Sequence, residues 1–165
     1  MDNFYEQLVT TFKTTKYKMA NSGVYVFLVL GFLAMILGSV IPSLLLLALS
    51  GGLFILKKKL FVEYEYEFTN GDIDIDKILE MKKRTRVISF NIKEVELIAP
   101  ENSTYVKDFS NKPEKVLNFY PSTANTQIYV AMVTGGNERV QIRFVPDEKF
   151  LNLCYKYNPR AIKRS

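Results

Sequence analysis

The sequence predicts a membrane α-helical hairpin joined to a mostly-β (α+β) domain of about seven strands and a C-terminal helix. Three observations predict it. From Met19 to Leu56 no residue carries a charge, and Lys18 and Lys57-Lys58-Lys59 close the two ends of that run. Directly after it, in Phe61–Phe68 (FVEYEYEF), the hydrophobic period changes from helical to two residues, the period of a strand. Near the end of the sequence, Phe150, Leu151, Cys154 and Tyr157 return to helical spacing between Pro146 and Asn158-Pro159.

The uncharged run is too long for one span, which takes about 20 residues to cross a hydrocarbon core of about 30 Å. Gly38, Ser39 and Pro42 lie near its middle, where a helix is broken and turned. The reading is therefore a first helix over Asn21–Leu37, a turn built on Gly38, Ser39 and Pro42, and a second, thinner helix over Ser43–Leu56. Lys57, Lys58 and Lys59 lengthen the second helix by snorkelling. Lipid forces every backbone polar group to be satisfied internally, so these segments are helices. Lys13, Lys16 and Lys18 precede the first helix and the three lysines follow the second, while the turn is uncharged. Positive residues on both outer flanks predict a multi-pass protein of the cell (inner or plasma) membrane with both termini in the cytoplasm. A re-entrant or interfacial hairpin is the alternative that the short second half leaves open.

The remaining chain is one small domain's worth of a 165-residue sequence. Its formal net charge of +5 is unevenly spread, since Lys57–Lys59 supply three of the five charges. The basic balance thus belongs to membrane flanks and argues against a nucleic-acid surface. A single cysteine, Cys154, excludes an intrachain disulfide and fits a reducing compartment.

In chain order, residues 1–18 read as an amphipathic N-terminal helix, because Phe4, Tyr5, Leu8, Val9 and Phe12 recur at helical spacing. Such a helix lies either in the membrane interface or on the soluble domain. In FVEYEYEF, Val62, Tyr64, Tyr66 and Phe68 form a buried row and Glu63, Glu65 and Glu67 a wet one. Asn70-Gly71 is a two-residue hairpin turn. The return strand, Asp72 to about Met81, points Ile73 and Ile75 inward and Asp72, Asp74 and Asp76 outward. That sets carboxylates opposite carboxylates, which destabilises a ladder. The basic cluster Lys82-Lys83-Arg84 with Arg86 is the source of relief. Arg86–Phe90 and Val95–Ile98 are further strands, the latter stopped by Pro100. After an irregular stretch come Lys115–Tyr120, an apolar central strand Gln127–Val133, a turn at Gly135-Gly136-Asn137, and Arg139–Val145. Pro146 then opens the last helix. The domains are 1–18, the hairpin 19–59, the β-rich domain 60–158 and a basic tail 159–165, with Leu60–Tyr157 expected to fold alone.

Seven strands closed at one end by a helix is the architecture of pleckstrin-homology-like domains. The strings FVEYEYEFTNGDIDIDKI (Phe61–Ile78), FNIKEVELIAPE (Phe90–Glu101) and VTGGNERVQIRFVPDEKFLNLCYKYNPRA (Val133–Ala161) resemble a family of small bacterial two-span membrane proteins with a pleckstrin-homology-like cytoplasmic domain. The resemblance covers nearly the whole chain. It implies an architecture and carries no functional residues with it.

Enzyme chemistry lacks its parts. There is no histidine, so no common serine or cysteine triad can be built, and Cys154 sits on the apolar side of a helix, which suits core packing. Asp72-x-Asp74-x-Asp76 fails the helix-loop-helix calcium template, because Lys77 and Lys83 stand where glycine and glutamate belong. Gly135-Gly136 has no Gly-Lys-Ser/Thr after it and is no phosphate loop. No catalytic, cofactor-binding or metal-binding residue is expected, and no cofactor.

The expected function is a non-enzymatic membrane-anchored binding or scaffold module presenting a small β-rich domain at the cytoplasmic face. Its partners would be the bilayer, anionic lipid headgroups and a protein. The alternative is an accessory subunit packing against a larger integral membrane complex through the small-residue stripe Gly31, Ala34, Gly38. Headgroup contact falls to Lys57, Lys58, Lys59, Lys82, Lys83 and Arg84. A strand of eight residues at about 3.3 Å each rises roughly 26 Å from the lysines, and the return strand brings Lys82 back down.

Overall fold

The computed structural model describes residues 3–134 and 138–164. It divides into two compact units. One is Thr11–Val62, and the other joins Met1–Thr10 to Glu63–Ser165. The turn expected at Gly135-Gly136-Asn137 lies outside the described residues.

The first unit is a pair of helices, α1 (Thr15–Ile36) and α2 (Val40–Leu60). Both are long and apolar enough to cross a membrane. At 1.5 Å per residue each is about 30 Å long, so α2 is not thin: it continues through Lys57–Lys59, which stand in its last turn and complement the negative end of its dipole. The side chain of Thr14 caps α1 by accepting the Tyr17 N–H. The turn between the helices uses Gly38 at φ +77, with the Gly38 N–H donating to Met35 O and the Ser39 N–H to Ala34 O, a glycine-terminated helix end. Pro42 is not in the turn. It occupies the first turn of α2, where a missing N–H costs nothing because that donor has no intrahelical acceptor.

The helices run antiparallel, as the contacts between Asn21 and Lys57, Val24 and Ser50, and Gly31 and Leu47 require. The interface is small and polar. Ser43 and Ser50 are buried, and the Ser50 hydroxyl donates to Val24 O at 2.8 Å. A Cβ at Gly31 would stand 2.9 Å from Leu47, and one at Gly23 would stand 2.9 Å from Leu53. Close approach of this kind is how helices associate where lipid removes the hydrophobic drive.

The second unit is built from two four-stranded sheets and a helix. The first sheet has the order β1-β2-β3-β4, with β1 Phe4–Val9, β2 Val62–Thr69, β3 Asp72–Leu79 and β4 Lys83–Asn91. The second has the order β5-β7-β8-β6, with β5 Val95–Pro100, β6 Lys115–Asn118, β7 Tyr129–Val133 and β8 Val140–Phe144. A short helix α3 (Thr104–Lys107) follows β5, and α4 (Glu148–Tyr157) follows β8. As the sequence predicts, β7 is central, and Val130–Val133 are all buried. Asn70-Gly71 has φ of 52 and 106, the double left-handed conformation that a tight hairpin turn requires.

The core is aromatic. Tyr66 and Phe68 of β2 and Phe144 of β8 meet Phe150 of α4 in edge-on pairs, with ring centroids 6.0 to 6.2 Å apart, and Tyr66 meets Phe144 at 5.6 Å. Phe150, Leu151 and Cys154 face this core, while Asp147 caps α4 by accepting the Phe150 N–H. Pro146 stands just before the cap.

Three further expectations are corrected. The N-terminal segment read as a helix instead forms a strand: Phe4–Val9 is β1, antiparallel to β2 with Glu6 opposite Glu67 and Val9 opposite Tyr64, and helix begins only at Thr15, as the start of α1. The strand places Phe4 and Leu8 on its exposed face and Tyr5 and Val9 on the other, against the helical spacing, and an open edge on β2 decides for the strand. The domain boundary at residue 60 therefore omits one of the domain's own strands. The glutamate row is not wet either, because Glu63 and Glu65 are 4% and 5% exposed. Finally, the basic tail is partly core: Ala161 and Ile162 are 2% and 5% exposed, and Ile162 bridges Ile98 of β5.

Candidate functional site

The hairpin β3–β4 concentrates the charged chemistry of the domain. On one face of the first sheet, β1 contributes Glu6, β2 contributes Glu65 and Glu67, and β3 contributes Asp74 and Asp76. Strand β4 supplies the counter-charge. Arg84 bridges Glu65 at 3.1 Å and Glu67 at 3.6 Å and makes a further charge-assisted bond to Asp76. Arg86 bridges Asp74 at 2.8 Å, Asp76 at 3.2 Å and Glu67 at 3.6 Å. The hydrogen bond to Asp76 and the surrounding carboxylates hold the Arg84 guanidinium above its ordinary pKa. Two planar forks thus serve four carboxylates, two of which, Glu65 and Asp76, are 5% exposed. The relief expected from this cluster is supplied by Arg84 and Arg86.

That arrangement divides the residues read as headgroup contacts. Arg84 is drawn onto the sheet face. Lys82 and Lys83 are exposed, and among the described residues neither forms an ion pair. Between Leu79 and Lys82 the chain reverses with Glu80 at φ 49 and Met81 at φ 58, closed by the Lys82 N–H donating to Leu79 O at 3.0 Å. Two successive non-glycine residues in the left-handed region cost about 1–2 kcal/mol each. They place Met81, 71% exposed, at the tip beside the two lysines. Sequence reading missed Met81 because it extended the strand to that residue, past the turn.

In the helical unit, the Lys57 ammonium donates to Asn21 Oδ1 at 3.0 Å, and Lys57 and Lys58 stand 5.0 and 4.3 Å from the Phe54 ring. Lys59 is exposed. Of the small-residue stripe, Gly31 is buried against Leu47 within the hairpin, and Gly38 serves the turn. On the other side of α2, Gly51 and Gly52 have nothing within 4 Å of a Cβ position, and Leu45, Ala48, Leu49, Gly52 and Leu53 line a shallow apolar groove of about 390 Å³.

Each aspartate of β3 gives at least one oxygen to a nitrogen donor, while Asp74 Oδ1 is buried without a hydrogen-bond partner. Asp72 accepts from Asn91 Nδ2 at 2.7 Å, and Asp74 and Asp76 hold the arginines. Cys154 is buried, and that burial pushes its thiol up to about 12, away from nucleophilic use.

A second polar constellation was not legible in the sequence. The alternate side chains Asn3, Tyr5 and Gln7, running along the N-terminal strand, bond to the two ends of α4. Asn3 Nδ2 donates to Tyr157 Oη at 2.8 Å, the Tyr5 hydroxyl donates to Asp147 Oδ2 at 2.5 Å, and Gln7 Nε2 donates to Val145 O at 2.9 Å while Gln7 Oε1 accepts from the Asp147 N–H at 2.9 Å. The Tyr5 pKa is raised, first by its hydrogen bond to Asp147. Where β1 ends, Gln7–Thr10 face residues 123–126 and Val145–Asp147 across a cavity of about 330 Å³.

A family model described as "Bacterial PH-like domain (DUF6106)" matches residues 1–164. No curated protein matches the chain, and no solved structure matches it.

Proposed function

We propose, starting from a chain that belongs to the bacterial PH-like domain family DUF6106, that this protein is a non-enzymatic binding or scaffold module which its helical hairpin anchors at the cytoplasmic face of the cell membrane. One observation carries the reading. Strands β1 and β2 pair with each other, yet α1 and α2 stand between them in the sequence. The hairpin is thus an insertion between two neighbouring strands of one sheet. A chain that leaves a sheet and returns to the adjacent strand crosses a bilayer an even number of times, so two spans fit and one does not. The lysines on both outer flanks favour the cytoplasm for the domain.

Within this reading the headgroup contacts are Lys57, Lys58 and Lys59 at the end of α2, and Lys82 and Lys83 at the β3–β4 tip, where Met81 adds an apolar point. Each lysine near an anionic leaflet contributes about 1 kcal/mol. Arg84, engaged by three carboxylates, adds less. The experiment is sedimentation of the purified full chain, reconstituted in nanodiscs of neutral lipid, with vesicles that either contain or lack anionic lipid. Binding that requires anionic lipid, falls with salt, and is lost in Lys82→Gln/Lys83→Gln supports the reading, and equal binding to both vesicles counts against it.

The second reading is an accessory subunit of a larger integral complex, favoured by the open groove on α2 along Leu45, Ala48, Leu49 and Gly52. A stoichiometric integral partner that co-purifies in mild detergent and is lost in Gly52→Ile supports it.

A further inference from the structure

The first sheet has two edge strands, β1 and β4, and they are built differently. Strand β4 is defended. It begins Lys83-Arg84-Thr85-Arg86, and its ladder is bulged at Val87, since Ile75 pairs with Ile88 and Asp76 with Arg86. Basic side chains and bulges are the means by which an edge strand avoids further pairing. Strand β1 contains no lysine, arginine or proline, and its register with β2 is unbroken from Phe4 opposite Thr69 to Val9 opposite Tyr64.

Half of the β1 backbone faces away from the sheet. The Asn70 N–H donates to Asn3 O at 3.1 Å, which makes these two residues a hydrogen-bonded pair of the antiparallel ladder. Bonded and non-bonded pairs alternate along such a ladder. Tyr5, Gln7 and Val9 therefore turn their N–H and C=O groups to β2, and Phe4, Glu6 and Leu8 turn theirs outward. The same three residues carry the exposed side chains: Phe4 and Leu8 are 56% and 52% exposed, with Glu6 between them. Glu6 stands opposite Glu67, which is as far as Arg84 and Arg86 reach along this face, and among the described residues Glu6 forms no ion pair. Gln7, Leu8 and Val9, consecutive residues from both faces of the strand, line the cavity of about 330 Å³ that residues 123–126 close on the other side. That cavity thus opens at the same edge.

We propose that the free edge of β1 accepts an antiparallel strand of a partner protein, with a lysine or arginine opposite Glu6 and apolar side chains opposite Phe4 and Leu8. In strand addition, main-chain bonds give affinity and alternate side chains give selectivity. Charge decides between a second copy and a different protein. The two-fold register that sets Phe4 against Leu8 of a second copy also sets Glu6 against Glu6, and like charges directly opposite destabilise a pair. A basic residue at that position instead relieves the unpaired carboxylate. The proposal rests on the binding-module reading and names the partner's chemistry. Its test contains no lipid, so its failure and the failure of membrane anchoring are distinguishable.

The test uses the full chain in neutral detergent and a fluorescent heptapeptide of threonine, with isoleucine at its second and sixth positions and lysine at its fourth. This peptide should bind saturably, and about five-fold or more tighter than one with glutamate at the fourth position. Glu6→Lys should reverse that preference, which a general loss of structure would not do. Leu8→Pro removes an outward N–H and leaves the ladder to β2 in place, and it should abolish binding. In the parent chain, the Phe4, Glu6 and Leu8 amides should exchange freely and slow about ten-fold or more when the peptide saturates. Absence of saturable binding at millimolar peptide overturns the proposal, as does an unchanged preference in Glu6→Lys, or slowed exchange along Lys83–Asn91 in place of β1. A dimer that Leu8→Pro dissociates overturns it in favour of a second copy. Where Leu8→Pro fails to fold, the charge reversal and the exchange of the parent chain decide.

Discussion

Val9 and Tyr64 are cross-strand partners in one sheet, although both apolar helices lie between them in the chain. The β-rich unit is therefore assembled from two pieces of sequence, and its first strand finds its partner only because the hairpin returns the chain beside it. The side chains of that strand fasten α4 at both ends through Asn3, Tyr5 and Gln7.

It follows that residues 60–157 alone lack β1, the partners of α4 and the covering of β5. Such a fragment should unfold without a cooperative transition, or at a midpoint lowered by about 10 °C or more, a loss of a few kcal/mol. Joining Asn3–Thr10 to Glu63 through a short Gly/Ser linker, and retaining residues 158–164, should restore a cooperative melt, because Val9 and Tyr64 are already adjacent. Equal midpoints for the two proteins would show that β1 contributes nothing to the domain's stability.

Arg84 and the two lysines before it should behave oppositely. Arg84→Gln leaves Glu65 buried without the arginine that bridges it, and leaves Asp76 with Arg86 alone. Breaking a buried pair from one side costs about 3–5 kcal/mol, and since the guanidinium is half exposed, about 1–3 kcal/mol is expected by denaturant unfolding. Lys82→Gln/Lys83→Gln should stay within about 0.5 kcal/mol of the parent. A stability loss in the lysine variant as large as in the arginine variant would contradict this division.

What the sequence discloses and what it hides follow from distance along the chain. The alternation in Tyr64, Tyr66 and Phe68, the Asn70-Gly71 turn and the apolar β7 are local patterns, and each is found where expected. The burial of Glu63 and Glu65 is not local: two-residue alternation marks them as solvent-facing, and the arginine on Glu65, Arg84, comes from a strand two positions away in the sheet. Nor is β1 local, since its partner lies beyond the hairpin. Ala161 and Ile162 are too short a pair, among Arg160, Lys163 and Arg164, for any periodicity to show that one edge of β5 awaits them. The lysines at 82 and 83 were legible as a basic cluster, whereas Met81 at the tip depends on a turn of two left-handed non-glycine residues that no turn signature announces.

The buried thiol gives a pH test. Cys154 has its pKa raised to about 12 by burial, so folding favours the protonated thiol. The resulting stability is fully present below the unfolded value near 9 and is lost as pH rises from 9 towards 12. Tyr5, Tyr64 and Tyr66 are raised from 10.0 and act with the same sign above that pH. Between pH 9 and 10, before the tyrosines join, Cys154→Ala should flatten the alkaline fall in stability. The parent thiol should resist alkylation at pH 8 until denaturant is added. Rapid alkylation of the folded chain would show that the thiol is accessible.

Finally, the two faces of the hairpin should respond differently to added volume. A Cβ at Gly31 stands 2.9 Å from the Leu47 side chain and 3.4 Å from its backbone nitrogen. Gly31→Val must therefore push α1 away from α2, strain the Ser50–Val24 bond of the same interface, and lower the thermal midpoint of the detergent-solubilised chain. Gly51 and Gly52 meet nothing within 4 Å. Alanine there adds no clash and removes a helix-interior glycine, a gain of about 0.5–1 kcal/mol in helix propensity. Gly51→Ala and Gly52→Ala should accordingly leave the midpoint unchanged or raise it. The pair of results also separates two uses of α2. If the groove along Ala48 and Gly52 seats another membrane helix, Gly52→Ile abolishes co-purification of that partner while the midpoint of the isolated chain is unchanged. If lipid alone covers the groove, the same substitution alters neither. A lowered midpoint in Gly52→Ile would instead place Gly52 inside the hairpin, contrary to the geometry around Gly31 and Leu47.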